Sequence, residues 1–283
     1  MATKVAQIVS PGGLDARAEE RGGLRELDSM TESMPGLSRQ QRDRARISPR
    51  ATPAPLGHQA KQRPLPAAGQ PRVPFSSRQK KARSKTRVSA QDSLPDAQYQ
   101  AQRRLMTSPS QWSDVNEALS AATGDVGALD ERTAERVRRV DRSIQAYEKV
   151  SDRGHVLYAN VSMPPWINHT SLPQFVARNF QAGDAVDFDR FTYTTHQLHE
   201  TTAHAGEDRA GRVAVFEIQT RRGAYLGHSD SMDDTSHLLP RGMRFQVVGT
   251  HQATWTDPQG RSGRRTVIQL RDTTPEPSNQ EMS

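Results

Sequence analysis

The amino-acid sequence predicts an α+β fold in which helices precede a β-rich last third and a long basic region precedes both. The first observation is a stripe of apolar residues at helical spacing between residues 137 and 147. The second is the stretch SHLLPRGMRFQVVGTH at 236–251, where Pro240 and Gly242 place a tight turn between two apolar strands. The third is composition, because only 33% of the 283 residues are hydrophobic and 5% aromatic, too few to pack the whole chain evenly.

The shortage of apolar residues is concentrated in the N-terminal region, which is also strongly basic. Residues 1–105 hold 20 of the 39 Lys and Arg residues but only 9 of the 32 Asp and Glu residues. Pro, Ser, Gln and Ala separate these charges, and neither a strand period nor a helix period is sustained. The sequence therefore predicts a disordered Arg/Pro/Ser-rich secretion or targeting leader at 1–108, a folded domain at 109–273 and a flexible tail at 274–283.

Two helices are predicted at the start of the folded domain. A serine near residue 110 caps the first helix, which ends at Gly124. Asp130 caps the second, which has a charged outer face and an apolar inner face. The inner face consists of Val137, Val140, Ile144 and Tyr147. We expect this face to pack on the sheet.

The rest of the domain has mainly strand character. β-Branched and aromatic residues dominate four stretches, and turn residues such as Arg221-Arg222-Gly223 separate them. The stretches are 155–161, 187–195, 212–220 and 265–270, in addition to the strands on either side of the turn at 240–242. A short helix at 172–180, with Phe175, Val176 and Phe180 turned inward, is predicted between the first two.

Composition also excludes several classes of protein. The chain has no cysteine, which excludes a disulfide framework, a thiolate nucleophile and a Cys-based zinc site. No apolar run approaches the roughly 18 residues of a membrane span, and the first fifteen residues lack the apolar segment of a signal peptide. Ala2 in place of glycine excludes N-myristoylation. We expect no membrane span, and a signal-peptide-independent route if the protein is secreted.

A metal site is not predicted. The run HETTAH at 199–204 is similar to a zinc-protease motif, but its two histidines are separated by five positions instead of four. On a helix that spacing turns them about 140° apart, so they cannot share one ion. His196 and His199 are closer, but no third ligand is indicated near them.

Three segments together resemble the signature of the mono-ADP-ribosyltransferases. They occur in the family's order: VLYAN at 156–160, FTYTT at 191–195 and LLPRGMRFQVV at 238–248. The resemblance covers roughly residues 110–272. It implies an ADP-ribosyltransferase-like split β-sandwich with N-terminal helices.

The resemblance also implies where NAD chemistry would take place. In the family an arginine orients NAD, a serine segment supports the nicotinamide pocket and a glutamate stabilises an oxocarbenium-like transition state. This sequence has Ala159 at the arginine position, Tyr193 at the first serine and Ser236 at the glutamate. If NAD is bound, the cofactor-binding candidates are Tyr158, Ala159, Tyr193, Thr194 and Thr195, and the catalytic candidates are Asp234, Ser236 and Asp233.

Neutral residues at all three signature positions predict a domain without standard NAD-dependent transfer, because alanine cannot hold a diphosphate and serine cannot stabilise positive charge. We expect its cleft, lined by Asp230, Asp233 and Asp234, to bind an arginine-containing segment of a host protein or of its own leader. The alternative is an active ADP-ribosyltransferase or NAD glycohydrolase that uses a shifted aspartate, with Arg153 reaching the phosphates. A basic leader followed by such a domain resembles type III secreted effectors of plant-pathogenic bacteria, in particular the XopAI group.

The leader itself suggests two further hypotheses. Lys80-Lys81-Ala82-Arg83 matches a basic nuclear-import pattern, which would direct a secreted effector to the host nucleus. A polybasic segment also binds nucleic acid without sequence preference. Phe75 is nearly the only aromatic residue before Tyr99, so base stacking is poorly supported and nucleic acid is the least favoured partner.

Overall fold

The structure, a computed structural model, describes residues 3–5 (main chain only), 62–151, 153–206, 211–227 and 234–274. The helices in these ranges are α1 (Ser77–Asp92), α2 (Asp96–Thr107), α3 (Pro109–Ala121), α4 (Glu131–Val150), α5 (Leu172–Asn179) and α6 (Glu200–Ala205). The strands are β1 (Thr3–Val5), β2 (His155–Val161), β3 (Ala185–Phe188), β4 (Thr192–Thr195), β5 (Ala214–Thr220), β6 (Ala224–Tyr225), β7 (Ser236–Leu239), β8 (Met243–Thr256) and β9 (Ser262–Asp272). None of the helices described combines the length and apolar character needed to cross a membrane.

The strands form one hydrogen-bonded set in the order β1-β3-β8-β9-β5-β2-β4-β7-β6. The pairs β1–β3 and β5–β9 are parallel, and the other neighbours are antiparallel. β2 and β4 are joined only through Tyr158 and Thr195. The set therefore divides into a six-stranded section ending at β2 and a three-stranded section of β4, β7 and β6. The predicted α+β class is confirmed.

The turn at 240–242 carries the chain from one section to the other. The strands on either side of it do not pair with each other, since β7 lies between β4 and β6 while β8 lies between β3 and β9. Gly242 makes the turn with a φ of +70°, a value that favours glycine. The predicted strand at 187–195 is likewise two strands in different sections, β3 and β4, separated by Asp189, Arg190 and Phe191.

The larger core covers one face of the six-stranded section. Phe216 lies at its centre, with its ring centroid 6.1 Å from that of Phe180 and 5.6 Å from that of Phe188. Helix α5 closes this core with Leu172 and Val176, both buried, and Phe175 packs at its edge. The predicted short helix and its inward face are therefore confirmed.

The second core packs helices α2, α3 and α4 on the three-stranded section. The predicted inner face of α4 is buried, and Leu238 and Tyr225 belong to the same cluster. Two buried ion pairs tie α4 to the turns around these strands. Arg222 contacts Glu148 at 2.9 Å, and Arg241 contacts Asp141 at 2.7 Å. The helices and the small strand section thus form one packing unit.

The prediction that residues up to 108 are disordered is wrong for residues 62–108. Ser76 begins α1 with a capping box, in which Ser76 and Gln79 each accept a hydrogen bond from the other's backbone. Helix α1 packs on α4 with an inner face of Lys80, Arg83, Ser84 and Ala90, and α2 buries Leu105. Mostly polar inner residues conceal the helical period that apolar residues reveal. Residues 6–61 and the predicted tail beyond 274 lie outside the described residues.

Burial in α1 also affects the nuclear-import hypothesis. Lys80 and Arg83 are only 4% and 6% exposed, and the Arg83 guanidinium lies 4.5 Å from the Phe75 ring centroid, within cation–π range. An import receptor that binds an extended basic run would have to draw these side chains out of the helix packing. Nuclear import therefore stays a prediction that requires local unfolding of α1.

Candidate functional site

A row of aligned residues crosses the sheet where its two sections meet. Ser236 of β7 pairs with Thr195 of β4, which pairs with Tyr158 of β2, and Tyr158 pairs in turn with Glu217 of β5. Paired residues point to the same side of a sheet, so these four side chains share one face. This face, opposite the larger core, is called the cleft face below.

The extended segment 62–75 covers the cleft face. Its main chain is bound at three places: Gln219 Nε2 donates to the carbonyl of Arg63 at 3.0 Å, Gln269 Nε2 donates to that of Pro66 at 2.9 Å, and the amide of Arg72 donates to the carbonyl of Thr254 at 2.9 Å. These bonds come from strands β5, β9 and β8. The segment is therefore fixed along the sheet.

Arg72 anchors the segment through its side chain. Its Nε and Nη2 each lie 3.0 Å from a different carboxylate oxygen of Glu217, the two-point geometry of the strongest arginine–carboxylate pairs. The Arg72 and Glu217 side chains are 4% and 0% exposed. Burial lowers the pKa of Arg72, but the hydrogen bonds and attraction of Glu217 outweigh it and leave that pKa raised. Arg72 is thus a fully buried cation in the cleft.

The opposite end of the row is a chain of hydroxyl groups ending in a carboxylate. Tyr193 Oη lies 2.8 Å from Ser236 Oγ, and Asp234 Oδ1 accepts hydrogen bonds from both the Oγ and the amide of Ser236. Burial raises the pKa of Tyr193 to about 12. Tyr193 is therefore a neutral donor at physiological pH, and Asp234 is the carboxylate beside it.

Glu200 of α6 is hydrogen-bonded to residues at this end of the row. Its carboxylate accepts hydrogen bonds from the hydroxyls of Thr195 and Thr235, from the Thr235 amide and from the Gln197 side chain. Burial raises the pKa of Glu200 to about 7, although these donors lower it. Glu200 lies in the HETTAH run at 199–204, in which only the histidines were considered as site residues from the sequence.

The structure brings some of the predicted site residues together and separates others. Tyr158, Tyr193 and Thr195 share the cleft face with Ser236. Ala159 points the other way, since it is buried in the larger core, and Thr194 alternates with its neighbours and donates to the carbonyl of His237. The list of candidates that share the face is therefore Tyr158, Tyr193, Thr195, Ser236 and, beside Ser236, Asp234.

Three charged residues that were predicted to line or reach the cleft, Asp230, Asp233 and Arg153, have different outcomes. Asp230 and Asp233 lie outside the described residues. Arg153, which the alternative hypothesis directs to phosphates, donates to the Thr86 hydroxyl of α1 at 3.3 Å. On the cleft face, the carboxylate that binds an arginine is Glu217, which is not among the residues predicted from the sequence. A carboxylate within the apolar strand AVFEIQT was the available signal, because buried carboxylates are rare unless paired.

No protein-family model and no curated protein matches the chain. The arrangement of helices and the divided sheet define a class of α+β domains with a cleft where two strand sections meet. Within that class, the chain has the mono-ADP-ribosyltransferase fold. It is similar to the enzymatic component C2-I of the Clostridium botulinum C2 toxin, with a TM-score of 0.52 and 13% identity over 72% of this chain and 50% of that chain.

The Clostridium limosum C3 exoenzyme is a second similar structure. Its TM-score is 0.50, with 13% identity over 73% of this chain and 98% of that chain. The chain spans about half the length of C2-I but nearly all of the C3 exoenzyme. At these identities the likeness establishes the fold, and function depends on the residues in the cleft.

Proposed function

We propose that this chain is a secreted bacterial effector whose ADP-ribosyltransferase-like domain lacks standard NAD-dependent transfer and instead binds an arginine-containing segment in the former active cleft. The observation that carries the proposal is the buried Arg72–Glu217 pair on the cleft face. The chain's own segment is the occupant in this structure. A basic segment of a host protein is the occupant we propose for the working effector.

The chemistry of the cleft supports a guanidinium ligand. Glu217 presents both oxygens to one side chain, and Gln269 holds one of them through a bond of 2.8 Å, which fixes the carboxylate plane. Arginine matches such a planar pair of acceptors, whereas lysine provides only a point charge. The Tyr158 side chain lies next to Glu217 on the same face and is neutral, because burial raises its pKa. The cleft is thus selective for arginine over lysine.

Hydrogen exchange in the full chain tests whether the segment stays in the cleft. The Arg72 amide is bonded to Thr254, so the peptide covering residues 66–75 is expected to exchange slowly. Glu217→Gln weakens the anchor and should speed exchange in that peptide at least about 30-fold, since losing one partner of a buried charge pair costs roughly 2 kcal/mol or more. Glu135→Gln, in an exposed pair on α4, is the matched control and should leave the rate unchanged.

Binding from solution tests arginine recognition directly. The full chain carrying Arg72→Gln should bind a labelled peptide of residues 62–75, and the same peptide with Arg72→Lys should bind at least about tenfold more weakly. Adding Glu217→Gln to the chain should abolish binding. Equal affinity for the arginine and lysine peptides, or binding that Glu217→Gln does not change, would remove the proposal.

The alternative, an active transferase or NAD glycohydrolase, is favoured by one observation. Asp234 lies two residues before the glutamate position and contacts Ser236, which contacts Tyr193. A carboxylate thus lies within hydrogen-bond distance of the position to which the resemblance assigns the catalytic glutamate. NAD hydrolysis and label transfer from NAD to host extract distinguish the two functions: we expect neither from the full chain, and turnover abolished by Asp234→Ala would establish the enzyme.

Delivery into a host cell is a separate part of the proposal. It is supported by the basic Arg/Pro/Ser-rich composition of the N-terminal region and by its resemblance to type III effectors. Residues 1–61 fused to a reporter enzyme that is active only inside host cells should give signal from a secretion-competent bacterium and none from a secretion mutant. The absence of signal in both would leave the cleft chemistry intact and remove the effector assignment.

A further inference from the structure

Three buried histidines meet at the junction of the two strand sections. His155 opens β2, His196 follows β4 and His237 lies in β7, and their side chains are between 0% and 4% exposed. The ring centroids lie 4.5–5.3 Å apart. One ring nitrogen from each lies within 4.8 Å of the others. The three strands thus bring together histidines that are far apart in sequence.

The hydrogen bonds of the cluster are incomplete. His237 Nε2 lies 3.2 Å from the carbonyl oxygen of Arg222, and its Nδ1 lies 3.1 Å from His196 Nε2. Among the described residues, His196 Nδ1 and both ring nitrogens of His155 have no hydrogen-bond partner. Buried polar atoms are nearly always bonded, so a fully buried imidazole with two unbonded nitrogens indicates a missing ligand.

The orientation, protonation state and burial of the three histidines are those of metal ligands. The Nε2–H of His237 donates to the Arg222 carbonyl, which leaves the Nδ1 lone pair directed into the cluster, as in histidine ligands oriented by an outer carbonyl. Burial keeps the pKa of all three histidines below the usual value, so they are neutral and able to coordinate. The rings of Phe75 and Tyr225 pack at a tilt against His196, with ring centroids 4.8 and 5.6 Å from it.

We propose that His155, His196 and His237 bind one divalent transition-metal ion, with Zn²⁺ the first candidate. Imidazole nitrogens suit zinc, copper and nickel, and a tetrahedral zinc would take water as its fourth ligand. The ion would fasten β2 to β4 and β7 where the sheet has a single paired position, and so hold the two sections together. Zn–N bonds of about 2.0–2.1 Å require the His155 ring to move toward the other two. Within the described part of the chain, no hydrogen bond of the His155 ring has to break for that movement.

The charges around the cluster limit its affinity. Arg83 brings a positive charge close to the cluster, since its guanidinium lies 4.5 Å from the Phe75 ring centroid, which lies 4.8 Å from that of His196. This charge acts on both His155 and His196. We therefore expect the nearby guanidinium to weaken the binding of a cation. Arg83→Met should strengthen binding, a response that loose association with surface groups would not give.

Metal titration of the full, untagged chain tests the proposal. After chelation, the chain should take up about one equivalent of Zn²⁺ and melt at a higher temperature with the ion than without it. Co²⁺ in place of Zn²⁺ should give the visible absorption bands of a tetrahedral site. His155→Ala and His237→Ala should weaken binding at least about tenfold, while His169→Ala, on the exposed loop before α5, should bind like the original chain.

Two results would overturn the site. One is a chain that is folded by circular dichroism and binds neither Zn²⁺ nor Co²⁺. The other is a loss of binding in His169→Ala as large as in His155→Ala, which would place the ion on surface groups. If His155→Ala does not fold, the titration of the original chain and the response to Arg83→Met decide the question.

Discussion

At the scale of single residues, Glu200 makes stability depend on pH. The pKa of its carboxyl is about 7 in the folded chain and near 4.5 in the unfolded one, because burial penalises the charged form. Between these values the folded state binds more protons, so the free energy of unfolding falls as pH rises from about 4.5 to about 7 and then levels off. The full effect is on the order of 3 kcal/mol.

Urea unfolding at pH 5, 6, 7 and 8 measures this contribution. Glu200→Gln should lose less stability than the original chain between pH 5 and 7, and the difference isolates Glu200 because every other titrating group is shared. Glu135→Gln, with a side chain 41% exposed, should follow the original chain throughout. Parallel curves for Glu200→Gln and the original chain would mean that the carboxylate stays charged across this range.

Arg241 is the second residue whose loss should have a large effect. It contacts Asp141 at 2.7 Å and donates to the carbonyl of Gly124 at 2.9 Å, and all of these groups are buried. Arg241→Met leaves the carboxylate without its cation and should cost about 3–5 kcal/mol. Arg139→Met removes an exposed pair with Glu135 and should cost less than about 1 kcal/mol.

Denaturant midpoints at pH 7 compare the two variants. Adding Asp141→Asn to Arg241→Met should recover part of the loss, because the unpaired charge is then gone. A similar cost for Arg241→Met and Arg139→Met would show that water reaches Asp141.

At the scale of elements, Gly223 fixes the turn between β5 and β6. Its φ is +101°, and an added Cβ would lie 2.6 Å from both His237 Nε2 and the Leu238 carbonyl oxygen. Gly183 also has a positive φ, +93°, but a Cβ there meets nothing within 4 Å. Gly183→Ala should therefore cost only the backbone strain of about 1–2 kcal/mol, and Gly223→Ala clearly more. Thermal melts of both variants test this, and equal losses would mean that the turn moves to accept the methyl group.

The sequence predicted elements where apolar residues keep a period and failed where polar residues face inward. The inner face of α4 and the strands β2, β5 and β9 were predicted from Val, Ile and Phe at regular spacing. Helix α1 was missed because Lys80, Arg83 and Ser84 fill its buried side. The division of 187–195 into β3 and β4 was missed because the hydrophobic pattern does not show where the chain leaves one strand section and enters the other.

At the scale of the whole molecule, the site could be predicted only in part. Tyr193, Thr195 and Ser236, which the family resemblance singled out, lie on one face because strand alternation and pairing put them there. Arg72 and Glu217 are 145 positions apart, and no local pattern connects them. The three histidines of the proposed metal site are separated in the same way. Contacts between residues that are far apart in sequence depend on the path of the chain across the sheet. They can be identified only from the three-dimensional structure.

Residues 62–108 belong to the folded domain, because their segment on the cleft face and helices α1 and α2 pack against the rest of the chain. Two truncated chains test this conclusion. A chain starting at 109 removes Arg72, α1 and α2. It leaves Glu217 without its cation and uncovers the second core where Ala90 and Leu105 pack. The loss of the Arg72–Glu217 pair and the exposure of core side chains together remove a large part of the roughly 5–15 kcal/mol that stabilises a typical domain.

We expect the chain starting at 109 to aggregate or to melt without a cooperative transition. The chain starting at 62 should melt cooperatively within about 5 °C of the full chain, because it keeps both helices and the segment on the cleft face. Circular dichroism melts and size-exclusion chromatography measure both. Glu217→Gln in the chain starting at 109 separates the two causes: recovery of a cooperative melt would assign the loss to the unpaired charge, and continued failure would assign it to the missing helices. A cooperative melt of the chain starting at 109 at the temperature of the full chain would mean that residues 62–108 only rest on a domain that is already complete.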